Sequence, residues 1–201
     1  TMATSGWNRN SKILQLNGTS GQWTAHDVGS GQIPEGYGAD IGVCNDIVHI
    51  ALNRWAGWGS QGGVARYDLN SSTWLPDWNQ GSSGGLPHDN PVAIACDEAY
   101  DIVYIGFEEG DGSISRYDYV NSQFLRLIDE DDNVISEPIF PGAMYHYGGG
   151  LIVGHYDNGG LTLVTTSATL ITSIIPFSTG SEATSISPVP NGGPFEFAIG
   201  R

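Results

Sequence analysis

Val64-Ala65-Arg66-Tyr67-Asp68 returns as Ile114-Ser115-Arg116-Tyr117-Asp118, and an aromatic follows each Asp after one fixed interval, Trp74 in the first case and Phe124 in the second. The same interval joins Asn17 to Trp23 and, more weakly, Thr165 to Ile171. The anchors Asn17, Asp68, Asp118 and Thr165 recur at about 50-residue spacing, a period that marks stacked structural repeats. A second element recurs with them: Ile47-Val48-His49-Ile50, Ile102-Val103-Tyr104-Ile105-Gly106, Leu151-Ile152-Val153-Gly154 and Phe195-Glu196-Phe197-Ala198-Ile199-Gly200. These are short runs rich in β-branched and aromatic residues, set between Gly, Asn and Asp, and no stretch of useful length has helical periodicity. They read as antiparallel strands, and four such strands per repeat make the blade of a β-propeller.

The ends of the chain extend that reading. The last repeat stops at Arg201 after its second strand, while Ile13-Leu14-Gln15-Leu16 and Gln22-Trp23-Thr24 read as a third and fourth strand. The expectation is therefore an all-β, single-domain propeller over residues 1–201, with four blades of about 50 residues. One blade, 181–201 plus 1–30, is completed from both termini, which removes exposed sheet edges. Closure within one chain gives a four-bladed ring; closure between two copies gives half of an eight-bladed homodimer. An open sandwich of sheets is the structural alternative.

Composition narrows the function classes. The 201 residues carry 22 acidic and 7 basic side chains, a formal net charge of −15, so nucleic acid and anionic membrane surfaces are poor partners. Only 14% of residues are charged, against roughly 25% in an average globular chain, and 29 glycines imply many tight turns. No apolar run approaches the roughly 18 residues needed for a membrane-spanning helix, so membrane insertion by a helix is not expected.

The run Leu86-Pro87-His88-Asp89-Asn90-Pro91-Val92-Ala93-Ile94-Ala95-Cys96-Asp97, followed by Ile102-Val103-Tyr104-Ile105-Gly106 and Ser113-Ile114-Ser115-Arg116-Tyr117-Asp118, resembles the two-component-regulator propeller repeat. The first repeat matches in part through Ile33-Pro34 and Arg66-Tyr67-Asp68, and the match fades in the later repeats; Tyr104 stands where that family usually has Trp. The resemblance implies an extracytoplasmic sensor module that recognises ligands, often carbohydrates, without catalysis. It carries over no catalytic residue.

Connections between second and third strands of a blade share one face with the blade-to-blade connections. They hold the candidate ligand-binding residues: Trp7, Trp55 and Trp58, then Glu108, Glu109 and Asp111, then His155, Tyr156 and Asp157. Trp7 and Trp58 stand at equivalent distances before Leu16 and Tyr67. Indole faces stack on sugar rings and carboxylates accept hydrogen bonds from hydroxyls, a mixture suited to a glycan; the plain alternative is that these Trp pack over Gly-rich loops. The sequons Asn17-Gly18-Thr19 and Asn70-Ser71-Ser72 fall in the hairpins of the opposite face.

The remaining constellations read mainly as structure. Arg66 with Asp68, and Arg116 with Asp118, share a strand face and are expected to tie neighbouring blades together, with an anion clamp as the functional alternative. Asp129, Asp131 and Asn133 begin a weak calcium candidate, but Val134 stands where an EF-hand needs Gly, so no metal or cofactor is expected. Cys44 and Cys96 are expected as buried free thiols, because equivalent strands of neighbouring blades diverge. Catalysis has thinner support: Tyr145, His146 and Tyr147 offer an acid and a base, and Glu108 with Asp157 offers a carboxylate pair for a lyase or glycosidase. The expected function is thus non-catalytic recognition of a glycan or peptide in an extracytoplasmic or secreted setting. The alternatives are a carbohydrate-active lyase or hydrolase and a purely structural assembly module.

Overall fold

The computed structural model describes residues 2–5, 12–54, 62–81, 85–108, 113–128, 141–147, 150–155, 161–167, 170–177, 185–188 and 197–200. Among them there is no helix, and every strand pair is antiparallel. The first sheet is β1 (Met2–Ser5), β2 (Lys12–Leu16) and β3 (Trp23–Asp27), in that order. Three four-stranded meanders follow. The first is β4 (Tyr37–Cys44), β5 (Ile47–Asn53), β6 (Gly63–Asp68) and β7 (Thr73–Trp78). The second is β8 (Pro91–Asp97), β9 (Ile102–Phe107), β10 (Ser113–Asp118) and β11 (Gln123–Ile128). The third is β12 (Pro141–Tyr147), β13 (Gly150–His155), β14 (Leu161–Ser167) and β15 (Leu170–Phe177), and β16 (Ser185–Pro188) with β17 (Phe197–Gly200) forms a final two-stranded sheet. Each four-stranded meander is one propeller blade, as the repeat predicts.

The repeat has a local cause in the hairpin between third and fourth strands. The anchor side chain caps the turn: Asn17 Oδ1 accepts from Thr19 N and Ser20 N at 2.9 and 3.0 Å, and Asp68 Oδ1 accepts from Asn70 N at 2.8 Å. Asp118 Oδ1 likewise accepts from Asn121 N at 3.0 Å. Four positions on, the backbone turns left-handed at Gly21 (φ 69°), Ser72 (φ 55°) and Ser122 (φ 52°), which closes the hairpin. The aromatic then lands beside the residue before the anchor: Trp23 pairs with Leu16, Trp74 with Tyr67, and Phe124 with Tyr117. Asx-type capping, a left-handed corner and a cross-strand aromatic are one mechanical unit, so they recur together.

The chain forms two compact units, Thr1–Val92 and Ala93–Arg201. In the first, Ile13, Ile33, Val48, Ile50, Leu52 and Tyr67 are buried together between the first two sheets. In the second, Ile102, Tyr104 and Ile114 are buried with Met144, Leu151, Val153 and Val164. β16 packs beside β12 and β13.

Two expectations are corrected here. Cys44 and Cys96, the chain's two cysteines, are disulfide-bonded rather than free. Both sit at strand ends, where the divergence of neighbouring strands is a weaker constraint: Cys44 is the last residue of β4, beside the left-handed Asn45-Asp46 turn, and Cys96 is the penultimate residue of β8. The N-terminal segment supplies a strand that the sequence reading lacks: Ile13–Leu16 and Trp23–Thr24 are indeed strands, but Met2–Ser5 also pairs along β2, Ala3 opposite Leu14.

Candidate functional site

The residues 54–62, 108–112 and 156–160 join the second and third strands of the three four-stranded meanders, and residues 6–11 join β1 to β2 of the first sheet. Every candidate ligand residue falls in or beside these four connections. Glu108 is described and exposed, and His155 is the last residue of β13; Trp7, Trp55, Trp58, Glu109, Asp111, Tyr156 and Asp157 lie outside the described residues. The calcium candidate Asp129, Asp131 and Asn133 also lies outside them, and no metal-ligating cluster occurs among the described residues.

The root of the 54–62 connection is well defined. Arg54 Nη1 donates to Asp89 Oδ2 at 3.0 Å, tying this connection to the blade-to-blade segment between β7 and β8. The expected sharing of one face by the two kinds of connection is seen here. Gly62 closes the same corner: a Cβ on it would stand 1.9 Å from the Asp89 carbonyl oxygen and 2.8 Å from Arg54 N. Asn53 and Asn90 are buried on either side. Arg54 and Gly62, which flank residues 55–61, are thus closely packed against the segment that carries Asp89.

The Arg–Asp repeat belongs to the frame, within a blade rather than between blades. Arg66 Nε and Nη2 both donate to the Pro76 carbonyl, at 3.0 and 2.6 Å, and the guanidinium lies 4.3 Å from the Trp78 ring centroid. Asp68 faces its own turn, where the Ser71 hydroxyl above all holds its carboxyl below the usual range. Asp118 is held low mainly by the Asn121 amide, with a smaller contribution from the Arg116 charge. Arg116 is 2% exposed, and its Nε and Nη1 make no hydrogen bond.

Two histidines, His49 fully buried and His146 partly so, were not singled out as a pair by sequence, since nothing in the repeat distinguishes them. His49 is fully enclosed; its Nδ1 is 3.1 Å from the Ile47 carbonyl and its ring is 5.3 Å from that of Trp78. Burial, reinforced by the Arg66 charge, lowers its pKa to about 3, so it is neutral. His146 Nε2 lies 3.1 Å from Asp97 Oδ2, and its ring stacks on Tyr104 at 5.8 Å and 15°. Burial lowers the His146 pKa against the raising pull of Asp97. Strand alternation turns Tyr145 and Tyr147 to the other face of β12. Of the acid–base set offered for a catalytic alternative, His146 thus pairs with Asp97.

No family model matches the chain, and no curated protein matches it in sequence. Solved structures do match in fold. A chain of the mitotic checkpoint complex aligns at TM-score 0.62 and 15% identity, over 99% of this chain and 55% of that one. Saccharomyces cerevisiae Sqt1 aligns at 0.60 and 12%, over 92% and 47%. A chain of the nidogen/laminin complex aligns at 0.59 and 12%, over 94% and 65%. These are propeller-type folds, and the chain has that fold. It spans 47% to 65% of the lengths of these three chains.

Proposed function

We propose that the chain is a non-catalytic recognition module, its ligand a glycan, held by the connections between second and third strands. What supports this reading is that Trp7, Trp55, Trp58, Glu108, Glu109, Asp111, His155, Tyr156 and Asp157 fall by sequence in or beside four connections between strands, the stem of one of them tied by Arg54 and Asp89. In this reading the indoles stack on sugar faces and the carboxylates take the hydroxyls. A peptide is the other ligand class the same loops would suit. The relation to two-component-regulator propellers, a single domain over 1–201 and the composite blade of 181–201 with 1–30 belong to this proposal.

An extracytoplasmic setting is part of it as well. It is supported by the disulfide-bonded state of both cysteines, since such bonds persist in oxidising compartments. The test is a thermal-shift screen against oligosaccharides and polysaccharides, with peptides as a second panel. A ligand at 100 times its dissociation constant adds about 2.7 kcal/mol of stability. A glycan hit lost in Trp58→Ala is expected. A flat glycan panel beside a peptide hit refutes the glycan, two flat panels favour an assembly role, and release of product from a polysaccharide would instead establish a lyase or hydrolase.

A further inference from the structure

The first sheet meets the first four-stranded blade through a chain of polar contacts whose direction is fixed at one end. An indole nitrogen only donates, so Trp74 Nε1–H, 3.3 Å from His26 Nδ1, requires that nitrogen to accept and the imidazole to be neutral. The imidazole proton then lies on Nε2, which donates to Gln15 Oε1 at 3.1 Å, and Gln15 Nε2 donates in turn to the Tyr67 hydroxyl at 3.3 Å. Side chains of β2, β3, β6 and β7 share this relay, all within the unit Thr1–Val92. Its apolar floor is the cluster of Ile13, Ile33, Val48 and Tyr67, against which Trp74 packs. The Trp74 ring meets both His26 and Tyr67 edge-on, each at 5.1 Å.

His26 is placed to sense protons where His49 is not. His49 is fully enclosed, whereas His26 is half-buried, so solvent protons reach it without unfolding. Burial lowers the His26 pKa from 6.5, and the Trp74 hydrogen bond to the neutral ring acts in the same direction. The charged groups of the elements packed around it are engaged elsewhere. On β2 and β3, alternation turns Lys12 and Asp27 to the opposite face, where they pair with each other. On β6, Arg66 is bound to the Pro76 carbonyl and Asp68 to its own turn; on β7, Asp77 accepts from the Asn79 amide. Residues 28–33, which bring Val28 and Ile33 to the joint, carry no charge, and Tyr67 faces the ring through Gln15.

We propose that this contact is a proton-operated latch: one proton taken from solvent by His26 Nδ1 turns it from acceptor to donor against the Trp74 indole, and the first sheet releases the Tyr67/Trp74 pair. Both ring nitrogens then carry hydrogens, so Nδ1–H and the indole N–H oppose each other. Rotating the ring away gives up the bond to Gln15 as well. In the released form His26 titrates at its ordinary 6.5. Between that value and the lower docked one, the released form takes up a proton that the docked form refuses. The docked-to-released ratio therefore falls by up to about tenfold for each pH unit of acidification in that window, and is constant above it. The inference rests on this joint alone and is independent of the ligand reading.

The experiment is NMR of the full chain between about pH 7.5 and about pH 5, following the His26 imidazole and the Trp74 indole N–H, assigned with His26→Gln and Trp74→Phe. His26 is expected to titrate below 6.5. Solvent exchange of the Trp74 indole, corrected for the intrinsic rate of a free indole, is expected to rise at least about tenfold across that interval. His26→Gln keeps an acceptor for Trp74 and a donor for Gln15 without a titrating group, so its rise is less than about twofold. Trp74→Phe removes the opposing donor and moves the His26 titration up towards 6.5. Amides of β5 stay protected throughout; β5 amides that open together with the indole would assign the change to global unfolding and overturn the latch. An indole that stays protected while His26 titrates overturns it, as does acid exposure of Trp74 that persists in His26→Gln. Should His26→Gln fail to fold, a His26 titration unmoved by Trp74→Phe overturns it equally.

Discussion

His49 offers a direct test of how the first four-stranded sheet is held. Its imidazole is fully enclosed beside Trp78 with the Arg66 guanidinium near, and its pKa falls from 6.5 to about 3. Above pH 6.5 the group is neutral in both folded and unfolded chains and adds no pH dependence. As pH falls from 6.5 towards 3, the unfolded chain takes up a proton that the folded one refuses, so stability is lost on the acid side of 6.5. One pKa unit corresponds to about 1.4 kcal/mol, so His49 alone lowers unfolding free energy by about 2 kcal/mol between about pH 7.5 and pH 5. His26 and His146 are also shifted down by burial and add loss of the same sign, so the wild-type slope must be compared with a variant. Urea unfolding of the wild type and His49→Gln at both pH values isolates the term: the variant starts lower by a pH-independent amount and then loses less. Imidazole resonances read the same quantity directly, with no His49 titration above about pH 4. A His49→Gln variant as acid-sensitive as the wild type, or a His49 resonance titrating near pH 6.5, refutes the reasoning.

Two further outcomes follow from the packing. Gly62→Ala is expected to cost at least about 2–3 kcal/mol in a denaturant titration, because the new Cβ would stand 1.9 Å from the Asp89 carbonyl and the stem must open. The two repeat arginines are expected to behave oppositely. Arg66→Met removes two donations to Pro76 and a ring contact and lowers stability by about 1–2 kcal/mol. Arg116→Met replaces a buried guanidinium with two idle donors by an apolar chain, and is expected to be neutral or stabilising by up to about 1–2 kcal/mol. Equal losses from both substitutions would refute this contrast.

What the sequence made legible was whatever the chain enforces locally. The anchor, the left-handed corner and the aromatic are joined by a few consecutive residues, so their spacing survives from repeat to repeat and can be read without a structure. β1 was not legible, since Met2-Ala3-Thr4-Ser5 has neither alternation nor a bounding turn signal; it is a strand because β2 offers it an edge. The cysteines and His146 failed to read for a related reason. Their states depend on which elements come together in space, and repeat position carries no such distance. The same division applies to function. Arg66, Asp68, Arg116 and Asp118 attract notice because they repeat, yet repetition is the mark of the frame, and their hydrogen bonds confirm that for the Arg66, Asp68 and Asp118 side chains. Informative departures are positions where one repeat does something its equivalents do not: Trp23 is exposed where Trp74 is tucked against His26, and Leu161 is half-buried where Val64 is enclosed.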